Sequence, residues 1–359
     1  MASLAVESKL EAVPRTEEVE QCPVCLGRQI EFLFWTFDRL YRLPGRFGES
    51  RCADCGLVFV TPRPVEEALG YYYPEEYAPH QPPAYTLGGN DTGGLVSKLR
   101  TGIRQSVLDE LGYQGGKIAF WQRAGRPFFN NVFFSQATYG WGDRFPRFVK
   151  DGRALDIGCG NGTFLSYLKH HGWEVQGVDM SRQAANVAKE YFDIDVFVGG
   201  LAEAPFSDQC FDYINMSHVL EHVREPRQTI EEVRRLLKDD GILYIEVPNY
   251  ESFGCESGGE FWFALDAPRH LLSFSPNSLG TLLSQCGFRT VRMTSKVADL
   301  FAWDETLRKE EKAGKLLSER PDNSALTATR LAFLKGRARL GRMLRPLSGD
   351  YLCCWAQRS

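Results

Sequence analysis

Three sets of residues in this chain have the types and spacing to do chemistry. Four cysteines form two C-x-x-C pairs, Cys22 with Cys25 and Cys52 with Cys55. In "RALDIGCGNGTF" an apolar run carrying Asp156 leads into Gly158, Gly160 and Gly162, and a second acid, Asp179, ends "VQGVD". Histidines stand in "HVLEH", from His218 to His222, and in "LDAPRHLLSF", where His270 follows Arg269 and lies near Asp266.

Each cysteine pair sits near a turn that can point both sulfurs at one ion. Four thiolates suit a closed tetrahedral zinc site with no open coordination position. A glycine follows each pair, in "CLG" and "CGL", and the spacer "FLFWTFDRLYRLPGRFGESR" can form a hairpin, as in a zinc ribbon. The other six cysteines, Cys159, Cys210, Cys255, Cys286, Cys353 and Cys354, lack metal spacing and are expected as reduced, buried residues.

Glycines between a strand and a helix let backbone amides approach a ligand where the helix dipole favours negative charge. A phosphate-gripping P-loop would close with G-K-[ST], whereas this loop closes with Gly162, Thr163 and Phe164. A dinucleotide loop would follow G-x-G-x-x-G, and here the pattern is G-x-G-x-G. A ligand with both an ammonium and a carboxylate suits the loop better: Asp156 can draw the first while the amides face the second. Asp179, ending the next strand, can accept both hydroxyls of a ribose. The expected ligand is an amino acid joined to a nucleoside without phosphate.

The segments "LDIGCGNG", "VQGVDMS", "APFSDQCFDYI", "HVLEHVREP" and "GILYIEVPN", in that order, resemble the class I S-adenosylmethionine-dependent methyltransferase superfamily. The resemblance runs from about Arg153 to Ala298 plus the last strand, and it is closest to the branch with an N-terminal zinc ribbon that acts on sugars and cell-surface glycans. It implies an α/β fold with a doubly wound, mostly parallel seven-stranded sheet. It also implies cofactor contacts at Asp156, Gly158, Cys159, Gly160 and Gly162 for the methionine end and at Asp179 and Met180 for the ribose. Leu201, Ala202 and Glu203 would lie beside the adenine, and Met216 and His218 near the sulfonium. Gly200 stands where many members have an acid, which shifts the adenine contact to Glu203 or to backbone.

Methyl transfer is an in-line displacement, so the protein mainly supplies alignment, plus a base when the acceptor is a hydroxyl or acidic carbon. His270, on the loop after the fifth strand, is expected as that base with Asp266 and Arg269 beside it; the alternative is that Arg269 and His270 anchor the loop. The family often carries a similar D-x-P-R-H segment. "HVLEH" formally matches the H-x-x-E-H zinc pattern, but that pattern needs one helix presenting both imidazoles. His218 falls where the fourth strand ends, so the two rings are not expected to converge, and Glu221 and His222 are read as structural.

These residues need elements to hold them. Short apolar strands, "ALDIG", "EVQGVD", "DVFVG", "FDYINM" and "ILYIEVP", alternate with helical stretches such as "SRQAANVAKEYF" and "PRQTIEEVRRLLK", as in a parallel sheet with crossover helices. "RTVRMTSKVA" and "DYLCCWAQR" read as two more strands. The organisation expected is a loose leader at 1–20, a zinc ribbon at 21–62, a connector and helical, aromatic segment at 63–150, and a methyltransferase domain at 151–359 with a basic helical insertion at about 300–348.

A formal net charge of -4 over 359 residues gives no global pull toward nucleic acid or anionic membrane. The expected acceptor is a small molecule or glycan, lipid-linked if the basic insertion touches anionic lipid. An RNA methyltransferase and a non-catalytic cofactor-binding scaffold are the alternatives. No stretch has the form of a signal peptide or membrane span, so the location read is cytoplasmic, with a peripheral seat at the inner membrane face as a variant.

Overall fold

The computed structural model describes residues 14–73, 108–113, 144–297 and 344–359, with a few positions between 308 and 341. The N-terminal part gives β1 (Thr16–Glu17), β2 (Ile30–Thr36), β3 (Phe47–Cys52), β4 (Val58–Val60) and β5 (Arg63–Pro64). There follow β6 (Arg153–Ile157), α1 (Thr163–His170), β7 (Glu174–Asp179), α2 (Arg182–Phe192), β8 (Val196–Val198) and β9 (Phe211–Ser217). The chain continues through α3 (Pro226–Leu236), β10 (Leu237–Pro248), α4 (Phe253–Gly258), β11 (Leu272–Ser273), α5 (Pro276–Gln285), β12 (Phe288–Lys296) and β13 (Tyr351–Arg358).

Local chemistry explains where the helices begin and which face they bury. Ser181 caps α2 by accepting from the Ala184 amide, and Ala184, Ala185, Val187 and Ala188 form its buried stripe. Pro226 opens α3, where its missing N–H costs nothing, and Ile230, Val233 and Leu236 are buried. Ser275 and Ser278 cap α5 reciprocally, and Gly287, at φ 76°, takes the left-handed turn after it.

Seven strands form one sheet in the order β12-β13-β10-β9-β6-β7-β8. The pairs of β6, β7, β8, β9 and β10 are parallel, and β13 runs antiparallel to both of its neighbours. This is the doubly wound, mostly parallel sheet expected from the alternating pattern. Helices on both faces give two apolar layers, one around Leu155, Ile214, Ile245 and Leu279 and one around Ala154, Tyr213, Tyr244 and Phe164. Each such large side chain, when fully buried, contributes roughly 1.5–3 kcal/mol. The strand order reverses between β6 and β9, and the crevice outside the carboxyl ends at that point is where such sheets bind ligands.

A second sheet has the order β11-β4-β3-β2. The spacer between the cysteine pairs does form an antiparallel hairpin of β2 and β3. Its fourth strand, β11, comes from the loop after β10, with Leu272 opposite Phe59 and Ser273 opposite Val58. The cysteine-bearing unit therefore shares a sheet with the loop after β10, and α4 also lies in that loop. Most of the connector and of the basic insertion lies outside the described residues. Among the described residues no helix is long and apolar enough to cross a membrane.

Candidate active site

The glycine loop joins β6 to α1. Gly158, Gly160 and Gly162 all have positive φ, at 64°, 52° and 75°. A Cβ on Gly158 would come within 2.5 Å of Val219 Cγ2, and one on Gly162 within 2.8 Å of Ala188 Cβ. The turn thus needs glycine both for its dihedrals and for its closeness to neighbouring chain. Asp179 locks it from the end of β7: its Oδ2 accepts from the Gly160 amide at 2.8 Å and its Oδ1 from the Ser181 amide at 2.8 Å. Asp179 stays partly exposed, Met180 beside it is 76 % exposed, and Ala202 and Glu203 are exposed while Leu201 is half-buried. The Gly158 and Cys159 amides donate to the Val178 carbonyl and the Gly162 amide to the Cys159 carbonyl, so the turn is held by its own bonds, beside a reachable carboxylate that suits a ribose.

Three residues of the expected cofactor set are placed otherwise. Asp156 is buried, and its carboxylate is already engaged by Arg144, 3.3 Å from both oxygens, and by the Asn215 amide. Burial pushes its pKa up, and the Arg144 charge and the Asn215 hydrogen bond oppose that. Instead of an open carboxylate awaiting an ammonium, Asp156 is one member of a buried polar cluster under the loop. The side chain of Cys159 packs with Leu165 and Ile194, and its amide donates to the Val178 carbonyl at 3.2 Å. Met216 is wholly buried with Ile214 and Ile245, because period-two alternation along β9 turns it into a core layer. Arg144, in "GDRFPRF", was not singled out in the sequence: it has no periodic neighbour or motif to mark it.

The histidines gather at the carboxyl end of β9. His218 ends that strand at φ 57°, with its side chain 43 % exposed. Its Nδ1 lies 3.3 Å from Glu221 Oε1, its Nε2 3.7 Å from Glu246 Oε1, and its ring 4.7 Å from that of Tyr351. Burial opposes its protonation, but the hydrogen bond to Glu221 and the charges of Glu221 and Glu246 raise its pKa. His218 and His222 do not form a helical pair, as expected: the chain turns between them in a single 3-10 turn, Leu220–His222. His222 instead meets His270, ring centroids 4.6 Å apart. Burial and the nearby His270 bring the His222 pKa down to about 4.

Arg269 is wholly buried between two carboxylates. Its guanidinium donates to Asp38 at 2.8 Å and 3.3 Å, to Asp266 at 2.6–3.1 Å and to the Tyr72 carbonyl at 3.1 Å. Asp38 is also at 0 % exposure and accepts from the Leu40 and Tyr41 amides. Arg269 and Asp266 thus tie the loop to the N-terminal unit and hold His270 in place. Asp38 had no sequence signal, since its partner stands 231 residues away.

The four cysteine sulfurs lie within 4.8 Å of one another, with Cys22 and Cys55 at 3.6 Å and Cys25 and Cys52 at 3.4 Å. Zinc–sulfur bonds of about 2.3 Å place tetrahedral sulfurs about 3.8 Å apart, so the donor set and spacing fit that ion. Between this unit and the loop after β10 opens a cavity of about 810 Å³, lined by Phe34 and Arg51 on one side and Tyr250, Glu251, Glu256 and Arg345 on the other.

A sheet with this order and one antiparallel strand, a glycine loop after its first parallel strand and an acid after its second define a Rossmann-like methyltransferase fold. Residues 133–293 match the family described as "Methyltransferase domain". That match, to less than half of the chain, marks these residues as a methyltransferase domain. It is similar to an uncharacterized methyltransferase of Staphylococcus carnosus, 38% identical over 104 residues, 28% of this chain and 50% of the relative. It is also similar to a ubiquinone biosynthesis O-methyltransferase of Glaesserella parasuis, 34% identical over 107 residues, 27% of this chain and 45% of the relative. The chain thus spans about half the length of these two relatives. The crystal structure of a SAM-dependent methyltransferase from Archaeoglobus fulgidus overlays with a TM-score of 0.40 at 21% identity, covering 70% of this chain and 98% of that one.

Proposed function

We propose that the protein moves a methyl group from S-adenosylmethionine to a hydroxyl of a small-molecule or glycan acceptor, with the four-cysteine unit holding zinc as a brace for the acceptor side. The observation that carries this reading is the arrangement along one sheet edge: the glycine loop, Asp179 and His218 follow the carboxyl ends of β6, β7 and β9, which pair as neighbours in the order β9-β6-β7. When bound, S-adenosylmethionine supplies a methyl already activated on a sulfonium. The glycine turn would take its methionine end, Asp179 its ribose, and the chain around Leu201–Glu203 its adenine. An imidazole at the β9 end, His218 or His270, takes the acceptor proton, and such a base is worth ~10²–10⁴-fold in rate. The acceptor enters from the 810 Å³ cavity: Tyr351, which touches His218, packs in one apolar cluster with Tyr250 and Cys255 of the cavity wall. The O-methyltransferase relative supports a hydroxyl acceptor.

Calorimetric titration with S-adenosylhomocysteine tests the cofactor half, with micromolar binding expected. Turnover then tests the acceptor half: His218→Ala and His270→Ala are each compared with wild type on an acceptor panel of hydroxylated small molecules and glycans. Absence of heat with folded protein overturns the reading. RNA capture that is salt-sensitive and lost in Cys52→Ser would replace the glycan acceptor by nucleic acid.

A further inference from the structure

Glu221, His222 and His270 come from two loops that are distant in sequence, yet one donor atom of each lies within 4.8 Å of the others. Glu221 is at 0 % exposure; its Oε1 meets His218, while its Oε2 is buried with no hydrogen-bond partner. A buried carboxylate oxygen without a partner is costly, and such atoms in native proteins have a reason. The two imidazoles supply one. His222 Nδ1 lies 3.0 Å from the Arg269 carbonyl, and His270 Nδ1 lies 2.7 Å from the Ala264 carbonyl. A carbonyl can only accept, so the His270 Nδ1 carries the proton and its Nε2 keeps its lone pair; His222 Nδ1 also lies 3.0 Å from the Tyr73 hydroxyl, and in the tautomer that donates to the Arg269 carbonyl its Nε2 keeps its lone pair too. Imidazoles that bind metals are held in this way, with the far ring N–H donated to a backbone carbonyl or carboxylate. The local backbone reinforces the arrangement, since the Leu271 amide donates to the Glu221 carbonyl at 2.8 Å.

We propose that Glu221, His222 and His270 form a second cation site, distinct from the four cysteines, that takes a divalent transition-metal ion through two imidazole nitrogens and one carboxylate oxygen. Two nitrogens and one oxygen suit zinc, cobalt or iron(II) rather than magnesium or calcium. Three protein ligands leave coordination room that a four-thiolate site lacks. The inference stands on these three side chains and not on the choice of acceptor. It sharpens the proposed function in one respect: with His270 a ligand, His218 is the imidazole left free at the sheet edge.

The test is a cobalt(II) titration of the full chain after zinc has filled the cysteine site, followed by absorbance and by metal analysis after gel filtration. Wild type is expected to take up one further ion per chain, with visible bands but no thiolate-to-cobalt charge transfer. Glu221→Gln should weaken that second ion at least ~10-fold, and His270→Ala should abolish it, both keeping the cysteine-bound zinc. The wild-type titration needs no variant and stands even if His270→Ala does not fold. Only one ion per chain in wild type, or a second ion unchanged in Glu221→Gln, overturns the site. None of these readouts depends on methyl transfer or S-adenosylhomocysteine binding, so failure here and failure of the enzyme reading are separate results.

Discussion

The two sides of the sheet's carboxyl edge are built by different kinds of contact. On the side of the glycine loop, Asp179 holds Gly160 and Ser181, at most 19 residues away in sequence, and glycines shape the loop through their own dihedrals. On the side proposed for the acceptor, the loop of His270 is held by Asp38 across 231 residues and by a strand borrowed into the N-terminal sheet. The first side is a set of local turns on a continuous core. The second is a clamp between two parts of the chain, so it should fail separately and at a distance from the reacting groups.

The strongest way to break the clamp is through its far end. Cys52→Ser should release about one zinc per chain and cost several kcal/mol of stability in thermal melts, because a structural ion's binding free energy is folding free energy. Asp38→Ala leaves Arg269 buried with one carboxylate instead of two, and removing one partner of a buried pair costs about 3–5 kcal/mol. Turnover should fall with it while S-adenosylhomocysteine affinity stays near wild type; equal loss of both would erase the distinction between the two sides. Asp179→Ala is the reverse experiment. Loss of charge-assisted hydrogen bonds worth about 1.5–3 kcal/mol should weaken S-adenosylhomocysteine roughly 10–100-fold and lower the melt as well, because the Gly160 and Ser181 amides lose their acceptor; unchanged affinity would remove the ribose contact.

The smallest effect expected comes from Glu49, 1 % exposed on β3, whose pKa burial pushes up to about 8 against the pull of Arg39. A carboxyl whose folded pKa lies above its ordinary value of 4.5 binds more protons folded than unfolded between those values. Stability should then fall as pH rises from about 4.5 to about 8. Glu49→Gln should melt like wild type near pH 5 and higher than wild type near pH 8. If the two melts coincide at both pH values, Glu49 is not held neutral inside the N-terminal sheet.

Legibility in the sequence follows the same division. The seven strands, the caps of α2 and α5 and the glycine loop are encoded within windows of a dozen residues, where periodicity and residue type speak directly. Asp156 shows the limit of that reading: a carboxylate before a glycine loop is visible, but Arg144 and Asn215, which bury and engage it, are set by tertiary packing. Met216 shows another, because its position at the strand end was legible but its inward face depends on register. The meeting of His222 with His270 was not legible at all, since nothing near either residue announces a contact with a loop so far along the chain.

The borrowed strand β11 also has a consequence for synthesis on the ribosome. Both cysteine pairs are complete by Cys55, yet the edge of β4 finds its partner only when Leu272 and Ser273 have been made, roughly 210 residues and, at 5–20 residues per second, about 10–40 s later. Over that interval the nascent N-terminal sheet presents Val58, Phe59 and Val60 on an unpaired edge, the geometry that invites pairing with another chain. A metal ion taken up early by the four thiols would hold the hairpin in shape while the rest of the protein is still emerging.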